Sequence, residues 1–170
     1  RMLSLTQRLE RLNQRLAAWQ VWLERDTLPL DNWRCDGHPV QVGALWGTPD
    51  RPFVDEDTTV WHFQHPPVDI PAAWHTAETR LVLNLGGESL LFIDYLAEDN
   101  QTKNTQPKNT QLKNNQPKNK ESPSAPVENT VTLGHDPNHQ RFVLSGRRFA
   151  LRSESVARLP FGEPARAPRL

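Results

Sequence analysis

The first regular feature of the chain is a repeat of apolar residues. Leu5, Leu9, Leu12, Leu16, Trp19 and Leu23 follow one another at spacings of four, three, four, three and four. That alternation places all six on one stripe of an α-helix. Ser4 or Thr6 is suited to cap the start, and Pro29 forbids continuation beyond Leu28. The sequence therefore predicts a leading amphipathic helix within residues 1–28, a rod of roughly 30 Å at ~1.5 Å per residue. An apolar stripe has to be covered by its own domain, by a neighbouring domain, or by a second copy in a coiled coil.

Beyond the helix the period changes from three or four to two. Residues 30–51 mix Pro, Gly and Asp with Trp33, Val40–Val42 and Leu45–Trp46, a loop carrying one or two short strands. Thr58–His65, Thr79–Asn84 and Ser89–Tyr95 each read as a strand. Gly86-Gly87 between the last two is placed like a hairpin turn. Further short β segments are expected at Val131–Leu133, Arg141–Leu144 and Arg148–Arg152. Many short strands behind a single helix predict a mainly β fold, an antiparallel β-sandwich formed by residues 29–98 and 130–162.

Between the two halves of that β region lies a segment of different character. Gln101, Gln106, Gln111 and Gln116 each open a pentad of the form Gln-x-Lys-Asn-x. A period of five fits neither helix nor strand, and Leu112 is the one large apolar side chain in the array. Such a stretch cannot bury enough surface to offset its ordering entropy, so residues 99–129 are expected to form a disordered insert. Loop length is thermodynamically cheap, each doubling costing only ~0.6 kcal/mol in closure entropy.

Composition narrows the function. The 170 residues include 20 Lys plus Arg and 20 Asp plus Glu, a formal net charge of zero. That balance argues against a nucleic-acid partner, whose binder normally carries a basic surplus. No apolar run reaches the ~18 residues of a membrane span, and the first residues lack the apolar block of a secretory signal. With Cys35 as the sole cysteine there is no internal disulfide, which suits a reducing compartment and points to the cytoplasm.

Three chemistries have candidate residues in the chain. For a metal, His62 and His65 lie at an odd strand offset and should face opposite ways; the turn His135-Asp136-Pro137-Asn138-His139 is better placed, but also reads as a turn in which Asp136 or Asn138 accepts backbone N–H bonds. For glycosidic cleavage, two carboxyl groups must flank the bond. Asp55, Asp57, Glu88, Asp94 and Glu98 offer candidates, and nothing in their spacing selects a pair. No catalytic residue is therefore assigned. For sugar binding, indoles stack on sugar rings, although they serve equally as large core units. Trp33, Trp46 and Trp74 sit in turn-rich stretches, and Trp46 and Trp74 are the candidate substrate-binding residues.

The order of these pieces resembles the N-terminal domain of glycoside hydrolase family 38 α-mannosidases of the cytosolic and vacuolar type. Arg8-Leu9-Glu10-Arg11-Leu12 and Leu28-Pro29-Leu30-Asp31-Asn32-Trp33 are similar to that family's leading helix and the turn after it. Val60-Trp61-His62-Phe63 and Ile70-Pro71-Ala72-Ala73-Trp74 are similar to its strand and "Ile-Pro-x-x-Trp" stretch. Gly87-Glu88 with the apolar run to Asp94, the His135–His139 turn, and Phe161-Gly162 complete the likeness. The resemblance implies a jelly-roll-like β-sandwich ahead of a catalytic α/β barrel, with residues 163–170 as a linker toward it. It implies that the parent enzyme hydrolyses terminal α-mannosides with retention, using a carboxylate nucleophile and a divalent ion, usually zinc, both held in the barrel. On that view this segment is a non-catalytic accessory module. Its partners would be the catalytic and C-terminal domains of the parent chain, with a mannose-containing glycan as a further ligand. The alternative is a free-standing carbohydrate-binding β-sandwich.

Overall fold

The computed structural model describes residues 4–23, 26–55, 58–98 and 125–170, with side chains of the helix described to Trp19. The pentads and Asp57 lie outside the described residues, so the expected disorder of 99–124 is not addressed by it. The chain divides into two units, Arg1–Leu30 and Asp31–Leu170.

The first unit holds one helix, α1, spanning Leu5–Leu23. Its start is set by a reciprocal cap. The Gln7 backbone N–H donates to Ser4 Oγ (3.3 Å), and the Ser4 N–H donates to Gln7 Oε1 (3.0 Å). This is the capping box of the Ser-x-x-Gln pattern, which selects Ser4 over Thr6. Residues 26–28 are not helical, so α1 ends ahead of the stop expected from Pro29.

The second unit is mainly antiparallel β. Its strands are β1 (Trp33–Cys35), β2 (His38–Val40), β3 (Trp61–Asp69), β4 (Arg80–Val82), β5 (Glu88–Leu96), β6 (Val127–His135), β7 (Arg141–Val143) and β8 (Arg148–Val156). Six form one sheet in the order β2-β1-β3-β8-β5-β6, and β4 and β7 form a two-stranded ribbon. β1 and β2 are joined by Asp36-Gly37, with Cys35 opposite His38. Both turn residues have positive φ (45° and 83°), as a two-residue hairpin turn with the sheet's right-handed twist requires.

Alternation decides which face of the sheet is inside. Trp61, Phe63 and His65 of β3 are buried while His62 and Gln64 are exposed, which bears out the expectation that His62 and His65 face opposite ways. Across the ladder Trp61 lies opposite Ser155 and Phe63 opposite Ser153, so each large ring meets a small side chain. Leu151, Phe149, Leu91, Ile93 and Tyr95 continue the buried face on β8 and β5. Pro66 and Pro67 sit inside β3 without breaking it. β1 has ended its pairing by then, and the register on β8 shifts between His65 and Val68, so the missing N–H groups cost no regular ladder bond.

Three sequence expectations need correction. Gly86-Gly87 is no hairpin turn: β4 pairs with β7, while β5 pairs with β6 and β8. The chain crosses there from the ribbon to the sheet, and Gly86 (φ 88°) lies against the Arg169 backbone, where a Cβ would collide. The return strand also begins earlier than the expected position 130. Val127 already pairs with Leu96, and Asn129 with Tyr95. Finally, residues 163–170 are not a loose linker. The Ala165 N–H donates to Ala157 O (2.9 Å), the Trp46 N–H to Pro168 O (3.0 Å) and the Leu170 N–H to Ala44 O (3.0 Å). Ala165 and Leu170 are buried, so this tail is part of the domain.

Candidate functional site

Trp46 lies at the junction of the sheet, the tail and the segment after β4. Its indole is 1% exposed, tilts against Phe63 at 5.2 Å and meets Phe53 edge-on at 6.4 Å. Its Nε1–H donates to Leu85 O (2.7 Å). An indole enclosed in this way has no face left for a sugar, so Trp46 is a core residue rather than a substrate-binding one. Trp33 is buried likewise, edge-on to His65 at 5.2 Å. Trp74 differs. It closes the 3₁₀ turn Ala72–Trp74 and is half-buried.

The carboxylates distribute along the outer face. Glu88 and Asp94 are six residues apart on β5, which at ~3.3 Å per residue separates them by about 20 Å, beyond the reach of one glycosidic bond. Asp94 is held instead by Arg152 of β8, whose Nε and Nη2 both donate to it, and by Thr130 Oγ1 (2.7 Å). The Arg152 hydrogen bonds, opposed by partial burial and reinforced by Thr130, pull the Asp94 carboxyl below its ordinary range. The same guanidinium covers the Phe92 ring at 4.6 Å. This is an ion pair roofing an aromatic ring, a structural arrangement.

Glu154 was not singled out by the sequence. Because Leu90 lies opposite Glu154 and Val156 opposite Glu88, the two glutamates are diagonal neighbours on adjacent strands. They share an open hollow of ≈ 310 Å³ with Leu90, Gly134, Asp136 and Val156. The period-two alternation of Arg148–Val156 held the signal that puts Glu154 on the outer face; its partner strand was not readable. Asp136, at the rim, accepts from the Asn138 N–H (2.7 Å) and contacts His139 Nδ1 (3.0 Å). The His135–His139 segment is thus the Asp-anchored turn that its sequence allowed. Among the described residues no group of three His, Cys, Asp or Glu side chains is gathered as a metal would need.

The remaining reactive groups are packed away. Burial raises the Cys35 thiol to about 11, with a smaller opposing effect from a backbone hydrogen bond with Gly47. At neutral pH it is a protonated thiol rather than a nucleophile. His135 is buried beneath Leu83, with Nε2–H donating to Leu83 O (2.7 Å). Ser89, Ser153 and Ser155 form a hydroxyl chain within the sheet, with Oγ separations of 2.6 and 2.9 Å.

Apolar surface stands out instead. In α1, Leu5, Leu9, Leu12, Leu16 and Trp19 are each 49–74% exposed. In the β unit, Phe161 is 102% exposed with φ at 72°. Its turn is locked by Gly162 N–H to Leu159 O (3.1 Å), Leu159 N–H to Glu163 O (2.7 Å) and Arg158 Nη1 to Gly162 O (2.9 Å). The chain matches no protein-family model, no curated protein and no solved structure.

Proposed function

We propose that this chain is a non-catalytic docking module, and specifically the N-terminal accessory domain of an α-mannosidase whose catalytic barrel it supports. The observation that carries the docking role is the exposed leucine stripe of α1. A contiguous apolar strip of this kind calls for a covering surface. The resemblance of the residue order to family 38 supplies the parent's identity and its substrate class, terminal α-mannosides. The divalent ion of that chemistry belongs to the barrel. Within this reading the six-stranded sheet and the β4–β7 ribbon are the two layers of a jelly-roll-like β-sandwich. Burial of Leu81, Leu83 and Leu85, and the bonds from His135 and Trp46 to the carbonyls of Leu83 and Leu85, support that layering.

The test is complementation. A family 38 catalytic barrel prepared without its own N-terminal domain should co-elute with the chain and melt at a higher temperature in its presence. Failure of both effects overturns the accessory role, as does release of mannose from a synthetic glycoside by the chain alone. One observation favours the carbohydrate-binding alternative: Trp74 is half-buried, whereas Trp33 and Trp46 are enclosed. Millimolar-or-tighter mannoside binding that Trp74→Ala abolishes would establish that alternative.

A further inference from the structure

From Leu5 to Trp19 the stripe of large apolar side chains on α1 is narrow. A helix packed on a globular core normally presents an apolar face with three positions per heptad, whereas a strict two-per-heptad seam belongs to coiled coils. Taking Leu5 as d, the seam runs Leu5, Leu9, Leu12, Leu16 and Trp19 as d, a, d, a, d, and the sequence continues it with Leu23 at a. The flanks are then defined. Thr6, Asn13 and Gln20 fall at e, Arg8 and Arg15 fall at g, and Trp22 takes the last g position.

Those flanks lack an acidic complement along α1. Positions three and four residues to either side of Arg8 and of Arg15 hold no Asp or Glu, so neither guanidinium has an intrahelical acidic neighbour. The first turn of α1 contains no acidic residue. In a parallel pair of identical helices each Arg would face an uncharged e position, and in an antiparallel pair g would face g, Arg against Arg. A second copy therefore leaves the charges unpaired or opposed.

We infer that α1 is one strand of a heteromeric coiled coil, whose partner is a helix with an apolar a/d seam flanked by carboxylates. Leucines on the partner cover the seam, and its Glu or Asp side chains pair with Arg8 and Arg15. The inference deepens the docking role proposed above and does not depend on the α-mannosidase identity. Orientation and partner choice come from the charges, since opposite charge at the flanks attracts and like charge excludes.

Two synthetic helices distinguish the outcomes. Both carry Leu at a and d over three heptads; one has Glu at every e and g position, the other Lys. Titrated into the full 170-residue chain and followed through helical circular dichroism and sedimentation, the Glu peptide should form a 1:1 complex about tenfold tighter than the Lys peptide, weakening with salt. The charge-reversed chain, Arg8→Glu with Arg15→Glu, should invert that preference, with circular dichroism confirming that both chains fold. Equal affinity for the two peptides overturns the inference. So does a chain that self-associates and is not displaced by the Glu peptide. A null result here beside successful complementation of the barrel removes the helix from the docking role while leaving the module's function standing; the reverse pattern removes the mannosidase identity alone.

Discussion

The Trp46 indole donates its N–H to the carbonyl oxygen of Leu85 across 2.7 Å in the buried interior, 39 residues along the chain. That bond ties the segment after β4 to the loop that also receives the C-terminal tail through the Trp46 N–H and Pro168 O. Trp46→Phe keeps most of the ring but removes the donor, and should cost about 1–3 kcal/mol by leaving a buried carbonyl without this partner. Trp46→Ala should cost about 3–5 kcal/mol through the added cavity. Urea unfolding at neutral pH measures both. A near-neutral Trp46→Ala would show that the ring is not a core element.

Acid should weaken the fold well before the carboxylates titrate. His135 donates from Nε2 to Leu83 O, and its buried Nδ1 has no protein partner among the described residues. His65 bonds Pro66 O through Nδ1, and its buried Nε2 is similarly without a partner. Burial lowers both imidazoles from the ordinary 6.5, overcoming the backbone bonds that favour protonation. The folded state thus binds fewer protons than the unfolded state below that value. Stability is full above about pH 6.5 and declines as pH falls toward the depressed folded-state values. Melting temperatures between pH 7.5 and 5 should fall, and His135→Gln should flatten the slope. A pH-independent melting temperature across that range would contradict the buried, neutral assignment.

What the sequence disclosed follows from the range of the signals. The leucine stripe of α1 and the alternation of β3 and β8 are local patterns, and both were legible. The Asp36-Gly37 turn was equally local; the dipeptide is a strong hairpin signal, and three-residue strands on either side were too short to frame it. Strand partners are a different matter. Nothing near Gly86-Gly87 reveals that β4 turns away to β7, because that choice is made by Leu81 and Phe142 meeting across 61 positions. The enclosure of Trp46 and Trp33 is hidden from the sequence for the same reason. A turn-rich neighbourhood marks an irregular backbone, and the tail that encloses Trp46 comes from the other end of the chain.

Phe161 holds a left-handed backbone conformation (φ 72°, ψ 17°) that suits Gly or Asn and strains a bulky side chain. Its ring is fully exposed and gives no packing in return. Phe161→Asn should therefore stabilise the isolated chain by about 1 kcal/mol, seen as a higher urea midpoint. The same variant should weaken association with the catalytic barrel if Phe161 is one of the anchors of the docking surface. A destabilised Phe161→Asn chain would mean that the ring packs in solution, and would remove it from that surface.

The Asp94–Arg152 pair gives the last test, because its two members are unequally buried. The Asp94 side chain is 9% exposed and that of Arg152 48%. Solvent screening at the arginine keeps the net gain of the pair modest, yet removing the arginine abandons a nearly buried carboxylate with Thr130 as its remaining side-chain partner. Arg152→Ala should thus cost about 1–3 kcal/mol, more than Asp94→Asn, whose amide oxygen still accepts from Thr130 and Arg152. The acid dependence should also change. In the native chain the depressed Asp94 carboxyl contributes stability above its ordinary value of 3.8, and that contribution is lost as pH falls further through the folded-state value. Asp94→Asn has no such group, so its stability should decline less between pH 4 and 2.5. Equal losses from the two substitutions at pH 7, with identical acid slopes, would show that the pair is a surface contact without a structural share in the fold.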